Sequence, residues 1–160
     1  MAEYRVGTGV DAHALEAGVK LVLGGVEFDS DRGLAGHSDG DVLAHAMIDA
    51  ALGAAGLGDI GALFPSSDAG LAGVSSLHLL EQAIALVREQ GWELVNADCI
   101  LIGEEPKIAP RQDEMRAALA QAAGVDVDRI TVRATTTDGL GFTGRGEGLA
   151  AQAVALLRRD

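Results

Sequence analysis

Segments with a two-residue apolar period alternate with segments of helical period along this chain, and few architectures accept that order. Tyr4, Val6 and Val10 occupy alternate positions of a strand over Tyr4–Val10, which runs into Asp11-Ala12-His13. Lys20–Phe28 reads as a second strand or a hairpin, and 29–36 is turn-rich. A helix is expected from about Asp41 to Ala55, and another from Ser75 to Gln90. The latter carries Leu77, Leu80, Ile84 and Val87 on one face and has Gly91 as its stop. Trp92–Gly103 reads as a strand, Arg111–Ala123 as an amphipathic helix closed by Gly124, and Ile130–Thr136 as a further strand. Gly148–Arg159 is ambiguous: its alanines favour helix, yet Leu149, Ala151, Ala153 and Ala155 also alternate. Strands alternating with helices imply an α/β fold, an α+β sandwich. No repeat, low-complexity tract or linker breaks the pattern. Residues 1–160 are therefore expected to form one domain, long enough for a real core.

Composition narrows the partners. Apolar residues make up 48% of the chain but aromatics only 3%, so the core must be built from Ala, Val, Leu and Ile. A net charge of −12 argues against nucleic acid as a partner. A polyanionic small ligand then requires metals or backbone dipoles to supply positive potential locally. Cys99 is the one cysteine, which rules out an intrachain disulfide and makes a cytoplasmic setting the default. Neither a signal peptide nor an apolar span of membrane length is recognisable, so no membrane association is expected.

The densest chemistry lies in His37-Ser38-Asp39-Gly40-Asp41-Val42-Leu43-Ala44-His45, a loop-to-helix transition holding two histidines and two carboxylates. Asp39 or Asp41 is the expected N-cap, with His45 one turn inside the helix. Such a helix start suits an anion, and a helical histidine near loop carboxylates suits a metal. A capped helix with a hydrogen-bonded core histidine is an equal reading of the residues. In Asp11-Ala12-His13, side chains two apart on an extended chain point the same way. With His45 they would make a carboxylate and two imidazoles, a three-ligand zinc site open at its fourth position, provided His13 and His45 meet in space.

Weaker signals lie further along. The loop from Gly56 to Asp68 is long, polar and glycine-rich, and Asp59 there could accept hydrogen bonds from a polyol. Pro106-Lys107-Ile108-Ala109-Pro110 is held between two prolines and could present backbone groups to a base edge, although a plain exposed loop is the simpler reading. Ala134-Thr135-Thr136-Thr137-Asp138-Gly139 could cradle a phosphate, with Asp138 on a hard cation, or could be an ordinary strand end. Gly141–Gly148 is glycine-dense but matches neither a Walker A loop nor a dinucleotide fingerprint. His78 and Cys99 read as structural, Cys99 as a packed thiol.

Taken in order, Asp11-x-His13, His37-Ser-Asp-Gly-Asp-x-x-x-His45, Gly58-Asp-Ile-Gly61, Phe64-Pro65, Pro106-Lys107, Ala134-Thr-Thr-Thr137 and Gly141-Phe-Thr-Gly-Arg-Gly-Glu-Gly148 resemble the 2-C-methyl-D-erythritol 2,4-cyclodiphosphate synthase family over essentially the whole chain. The resemblance implies a lyase of the non-mevalonate route to isoprenoids. It would convert 4-diphosphocytidyl-2-C-methyl-D-erythritol 2-phosphate into the cyclic diphosphate and CMP. It implies Zn2+ on Asp11, His13 and His45, and a second divalent cation, Mg2+ or Mn2+, at Asp138. It implies that His37 and Thr136 stabilise the transition state. Substrate contacts are implied for Asp11, Ala12, His13, His37 and Ser38. Asp59, Ile60, Gly61, Phe64, Pro65, Ser66, Ser67 and Asp68 are implied for the erythritol side, and Gly103, Glu104, Glu105, Pro106, Lys107, Ile108 and Ala109 for the cytidine pocket. Thr135, Thr136, Thr137, Asp138, Phe142 and Arg145 complete the implied substrate set. The resemblance further implies a mixed four-stranded sheet with helices packed on one face, and a homotrimer whose sheets face the threefold axis. Active sites would then lie between subunits, a prenyl diphosphate could sit on the axis near Phe142 and Arg145, and Gly148–Arg159 would be a strand.

Three departures stand out: Asp138 where the family usually has Glu, Ser66 where an Asp is common, and Thr8 where many members have His. The substrate's own phosphate would serve as nucleophile, which fits the lack of any Ser-His-Asp or Cys-His set. Two other readings remain at this point: a zinc-dependent phosphodiester hydrolase, and a non-catalytic trimeric module that binds isoprenoid diphosphates.

Overall fold

A computed structural model describes residues 1–160. In chain order the elements are β1 (Glu3–Ala17), β2 (Leu21–Leu23), β3 (Val26–Phe28), β4 (Arg32–Leu34), α1 (Val42–Ala55), α2 (Ile60–Leu63), α3 (Ser76–Glu89), β5 (Glu93–Ile102), α4 (Gln112–Ala123), β6 (Ile130–Thr135), α5 (Gly141–Gly144) and β7 (Gly148–Arg159). The main sheet runs β4-β1-β7-β5-β6, and β2 and β3 form a separate hairpin. β7 is antiparallel to both β1 and β5, whereas β5 and β6 are parallel and are joined through α4, as a parallel pair requires.

The sheet has five strands rather than the expected four. β1 continues past His13 and changes partner: Glu3–Ala14 pairs with β7, and Leu15–Ala17 pairs with β4. Gly148–Arg159 is the central strand, paired on both sides. The helix propensity of its alanines loses to two ladders of backbone hydrogen bonds and to burial of Leu149, Ala151, Ala153, Ala155 and Leu157 on one face.

The inward faces of the sheet carry the core, and α1 lies against β1 and β7. The inward positions of β1 read Gly7, Gly9, Asp11, His13. The two glycines permit close approach: a Cβ at Gly7 would lie 2.0 Å from the Ala50 carbonyl oxygen, and one at Gly9 2.0 Å from that of Ala46. A helix that presents Ala46, Ala50 and Ala54 therefore beds directly onto the strand backbone. The opposite face of the sheet bears Tyr4, Val6, Val10 and Val154, all exposed. No helix is long and apolar enough to cross a membrane.

Candidate metal centre and active site

The site begins where the β1 glycines end. Past Gly9 the same inward face presents Asp11 and then His13, and the close bedding of α1 brings His45 onto them. Asp11 Oδ2 lies 2.8 Å from His13 Nε2 and 3.0 Å from His45 Nδ1, and the two ring nitrogens are 3.3 Å apart. Three ligands on a tetrahedral zinc ion, with bonds of about 2.0–2.2 Å, stand about 3.3 Å from one another. The cluster is thus at ligand spacing for a divalent cation, and its three donor atoms could hold one.

Hydrogen-bond inventory supports that fit. His13 donates its Nδ1–H to the Ala35 carbonyl at 2.7 Å, which leaves Nε2 free for the cluster. Burial alone would raise the Asp11 pKa, but hydrogen bonds to His13 and His45 outweigh it and bring it to about 2. The same Asp11 hydrogen bond pushes His13 upward, against burial.

The two aspartates after His37 hold different elements. Asp41 is the N-cap of α1, accepting from Ala44 N–H at 3.2 Å. The same carboxylate accepts from Gly24 and Gly25 N–H at 2.9 and 2.7 Å, which ties the β2–β3 turn to the helix start. Burial, and then the nearby Asp39 charge, raise its pKa to about 6. Asp39 instead reaches α3, accepting from Ser76 N–H at 3.0 Å. Ser76 is fully buried, and its hydroxyl lies 2.8 Å from His45 Nε2. Reading the sequence did not single out Ser76. A polar residue at a buried position of the α3 apolar face was the available signal.

A cavity of about 250 Å³ opens over the cluster. Asp11, His13, His37, Ser38 and His45 line it together with Ile60, Gly61, Phe64 and Ser66 of the following loop. That loop contains α2, whose N-cap Asp59 accepts from Ala62 N–H at 2.8 Å. Asp49 of α1 accepts from Ile60 N–H at 2.7 Å and so pins the loop to the helix that carries His45, a second contribution not apparent from the sequence. His37 donates to the Asp68 carbonyl at 2.7 Å. Ala12 points to the exposed side of β1, and Asp59, Pro65, Ser67 and Asp68 lie on the exposed surface of the loop rather than in the cavity wall.

A second depression, about 450 Å³, is lined by Gly103 through Ala109 and by Ala134, Thr135 and Thr136. Glu104 accepts hydrogen bonds from the Thr136 hydroxyl and from Gly139 N–H, and it fixes the loop after β6. The first of these lowers its pKa. Thr137 and Asp138 lie just beyond this wall, and Asp138 is exposed with φ 53°. Phe142 and Arg145 are also exposed, with Arg145 donating to Glu147 at 2.9 and 3.3 Å. The two depressions are separate within one chain. Asp11, Ala151, Leu101 and Ala134 form one row across β1, β7, β5 and β6. Three strand spacings, about 14 Å, therefore divide the cluster from the threonines. His78 is exposed beside Gln82, and Cys99 is buried, its thiol pushed up to about 12 by burial.

A helix-backed mixed sheet that aims a carboxylate and two imidazoles into a small open cavity is the arrangement of an enzyme that takes a small-molecule substrate beside a candidate cation site. The model of the YgbB family matches residues 4–158, and the chain belongs to that family. It is 52% identical over 159 residues to a 2-C-methyl-D-erythritol 2,4-cyclodiphosphate synthase of Thiobacillus denitrificans, covering 99% of each chain. Among solved structures, a synthase of that name bound to CDP superposes with a TM-score of 0.87 at 38% identity, covering 96% of this chain and 99% of the other. The bifunctional IspDF of Campylobacter jejuni superposes with a TM-score of 0.96 at 43% identity. There the match takes in all of this chain but 43% of the longer one.

Proposed function

We infer that this chain converts 4-diphosphocytidyl-2-C-methyl-D-erythritol 2-phosphate into 2-C-methyl-D-erythritol 2,4-cyclodiphosphate and CMP, in isoprenoid biosynthesis. The observation that carries this reading is the Asp11–His13–His45 cluster at the mouth of a cavity, in a chain matched nearly end to end by synthases of that name. In the reaction, an oxygen of the substrate's 2-phosphate attacks the β-phosphorus. The bond from that phosphorus to the bridging oxygen breaks, and CMP leaves with the electron pair. The 2-phosphate is ionised at neutral pH, so the protein need not create a nucleophile. Its task is positioning and charge neutralisation.

A zinc ion on the cluster and a second divalent ion, Mg2+ or Mn2+, at Asp138 would supply positive charge to the phosphate oxygens. This also explains how a chain of net charge −12 accepts a polyanion. His37, in the cavity wall, orients phosphate. Thr136, held by Glu104, does so from the other depression, whose backbone groups take the cytosine. Ile60 and Gly61, in the cavity wall, take the erythritol side, and Asp59 serves it by holding α2 in place. Residues 1–160 serve as one catalytic domain.

The separation of the two depressions supports a homotrimer in which the cluster of one subunit meets the 103–109 pocket of the next. So does the apolar sheet face bearing Tyr4, Val6, Val10 and Val154. On the axis of such a trimer, three Arg145 side chains, each offset by its own Glu147, would take one prenyl diphosphate. Calorimetry should find one bound per trimer, and none after Arg145→Ala in a mutant that is still trimeric.

Phosphorus NMR on the protein, divalent metal and the cytidyl substrate tests the central reading. A cyclic diphosphate appearing with CMP supports it. Linear phosphates would indicate a hydrolase, and unchanged substrate a binding module.

A further inference from the structure

We propose that Asp39 and Ser76 form a relay that sets the tautomer of His45 and thereby makes it a metal ligand. The proposal rests on the reading of Asp11, His13 and His45 as a metal centre, and it concerns residues outside that set.

The argument is a count of protons. The Asp39 carboxylate only accepts hydrogen bonds, and it does so from Ser76 N–H at 3.0 Å, from Asp41 N–H at 3.1 Å and from the Ser76 hydroxyl. A serine hydroxyl has one proton, and here it points at Asp39. What Ser76 offers His45, 2.8 Å away, is therefore a lone pair. Ser38 Oγ, 3.0 Å from the same ring nitrogen, follows either tautomer because its hydroxyl proton is free to rotate. The relay therefore favours a proton on Nε2 and a bare Nδ1 toward the cluster, the form a cation there requires, whereas without a cation the Asp11 carboxylate 3.0 Å from Nδ1 draws the proton the other way. His13 reaches the same state by a different route, through the Ala35 carbonyl. A metal-binding histidine needs its other ring nitrogen anchored in this way, because the tautomer decides whether a lone pair or a hydrogen faces the ion. The geometry also explains why a serine is buried at the start of α3: the carboxylate that caps that helix orients the ring on α1.

Asp39→Asn is the informative variant. An asparagine that keeps its oxygen on Ser76 N–H preserves the cap and gives up only the bond from Asp41 N–H. Its amide now donates to Ser76 Oγ, and the serine proton turns toward His45 Nε2. The ring is driven to the Nδ1–H form, with a hydrogen where the metal should bind. Ser76→Ala removes the relay without reversing it and leaves Ser38, which follows either tautomer, so its effect should be smaller.

The measurements are zinc affinity of the full-length chain by competition with a chelator, and ¹⁵N signals of the imidazoles at a pH where they are neutral. Asp39→Asn should lose about tenfold to a hundredfold in zinc affinity. Its His45 signals should shift toward the Nδ1–H pattern relative to wild type while those of His13 stay put. Wild-type zinc affinity together with an unchanged His45 tautomer in folded Asp39→Asn and Ser76→Ala chains would overturn the relay. Should that variant not fold, Ser76→Ala decides: weaker zinc binding with altered His45 signals supports the relay, and wild-type values reject it. A wild-type chain that takes up no zinc would remove the metal centre itself and the relay with it.

Discussion

Asp41 shows how much one side chain can carry when water is excluded. It is fully buried, caps α1 and grips two backbone N–H groups of the β2–β3 turn. Burial raises its pKa from the ordinary 3.8 to about 6, a displacement equivalent to about 3 kcal/mol. The folded state therefore holds the proton more tightly than the unfolded chain does. Below pH 4 both states are protonated and the contribution is whole; as pH rises through about 6 it is lost. In metal-free protein at fixed concentration, the stability of wild type relative to Asp41→Asn should fall between pH 4 and pH 6, as read by urea unfolding. A difference that stays flat or rises across that interval would contradict this. Asp138 makes the complementary case. Its φ of 53° lies in the left-handed region, which Asp and Asn tolerate better than most residues. Asp138→Asn should therefore keep the backbone and zinc content while costing on the order of tenfold or more in kcat and blunting the response to Mg2+ or Mn2+. Asp138→Glu should retain turnover. An Asn variant with unchanged rate and metal dependence would take Asp138 out of the reaction. Both aspartates stood out in the sequence, Asp41 as one of two candidate caps and Asp138 as a candidate ligand. Ser76 did not, because its importance comes from Asp39 and His45, 37 and 31 positions away.

At the scale of elements, the contact between β1 and α1 makes the site. The alternation Gly7, Gly9, Asp11, His13 combines bare backbone for the helix to rest on with two ligands just beyond it. Gly9→Ala would put a methyl 2.0 Å from the Ala46 carbonyl oxygen and 2.8 Å from Ala50 N. Backbone atoms cannot yield as a flexible side chain can, so α1 must lift. Overpacking of this kind costs about 1–3 kcal/mol or more. The expected result is a lower melting temperature together with weaker zinc uptake, because the helix that moves carries His45. Zinc affinity unchanged in a destabilised mutant would show that the bedding serves stability alone. The hydrophobic period announced β1, α1, α3, β5, α4 and β6 to within a few residues at their shared ends. It missed the continuation of β1 to Ala17 and the pairing with β4, where the short Arg32–Leu34 segment carries little pattern of its own. It left Gly148–Arg159 open because alanine serves either structure, and the two neighbouring strands settle the matter.

For the whole molecule, the exposed sheet face is the feature that local reasoning undervalued. Val6 and Val10 are 68% and 65% exposed in the single chain and lie on one face with Tyr4 and Val154. Under the proposed trimer these side chains are covered. Val6→Asp would place three carboxylates in that interface and should shift the sedimentation profile toward monomer at a concentration where wild type remains trimeric. Because the cluster and the 103–109 pocket belong to different depressions, dissociation should remove activity while each chain still takes up zinc. Trimers unaffected by the substitution would move the interface elsewhere. The sequence by itself determined what is local: which segments extend or coil, that Asp11 and His13 share a side, that an aspartate caps α1, and which motifs carry the resemblance. These follow from period, turn chemistry and spacing, which act over a few residues. Tertiary structure alone decided that His45 meets the Asp11 pair, that Asp39 and Ser76 orient it, that β7 is central, and that the threonines stand three strands from the cluster. Those outcomes depend on how closely α1 can approach a glycine-paved strand and on which strand completes which ladder, and both are properties of packing between segments far apart in the chain.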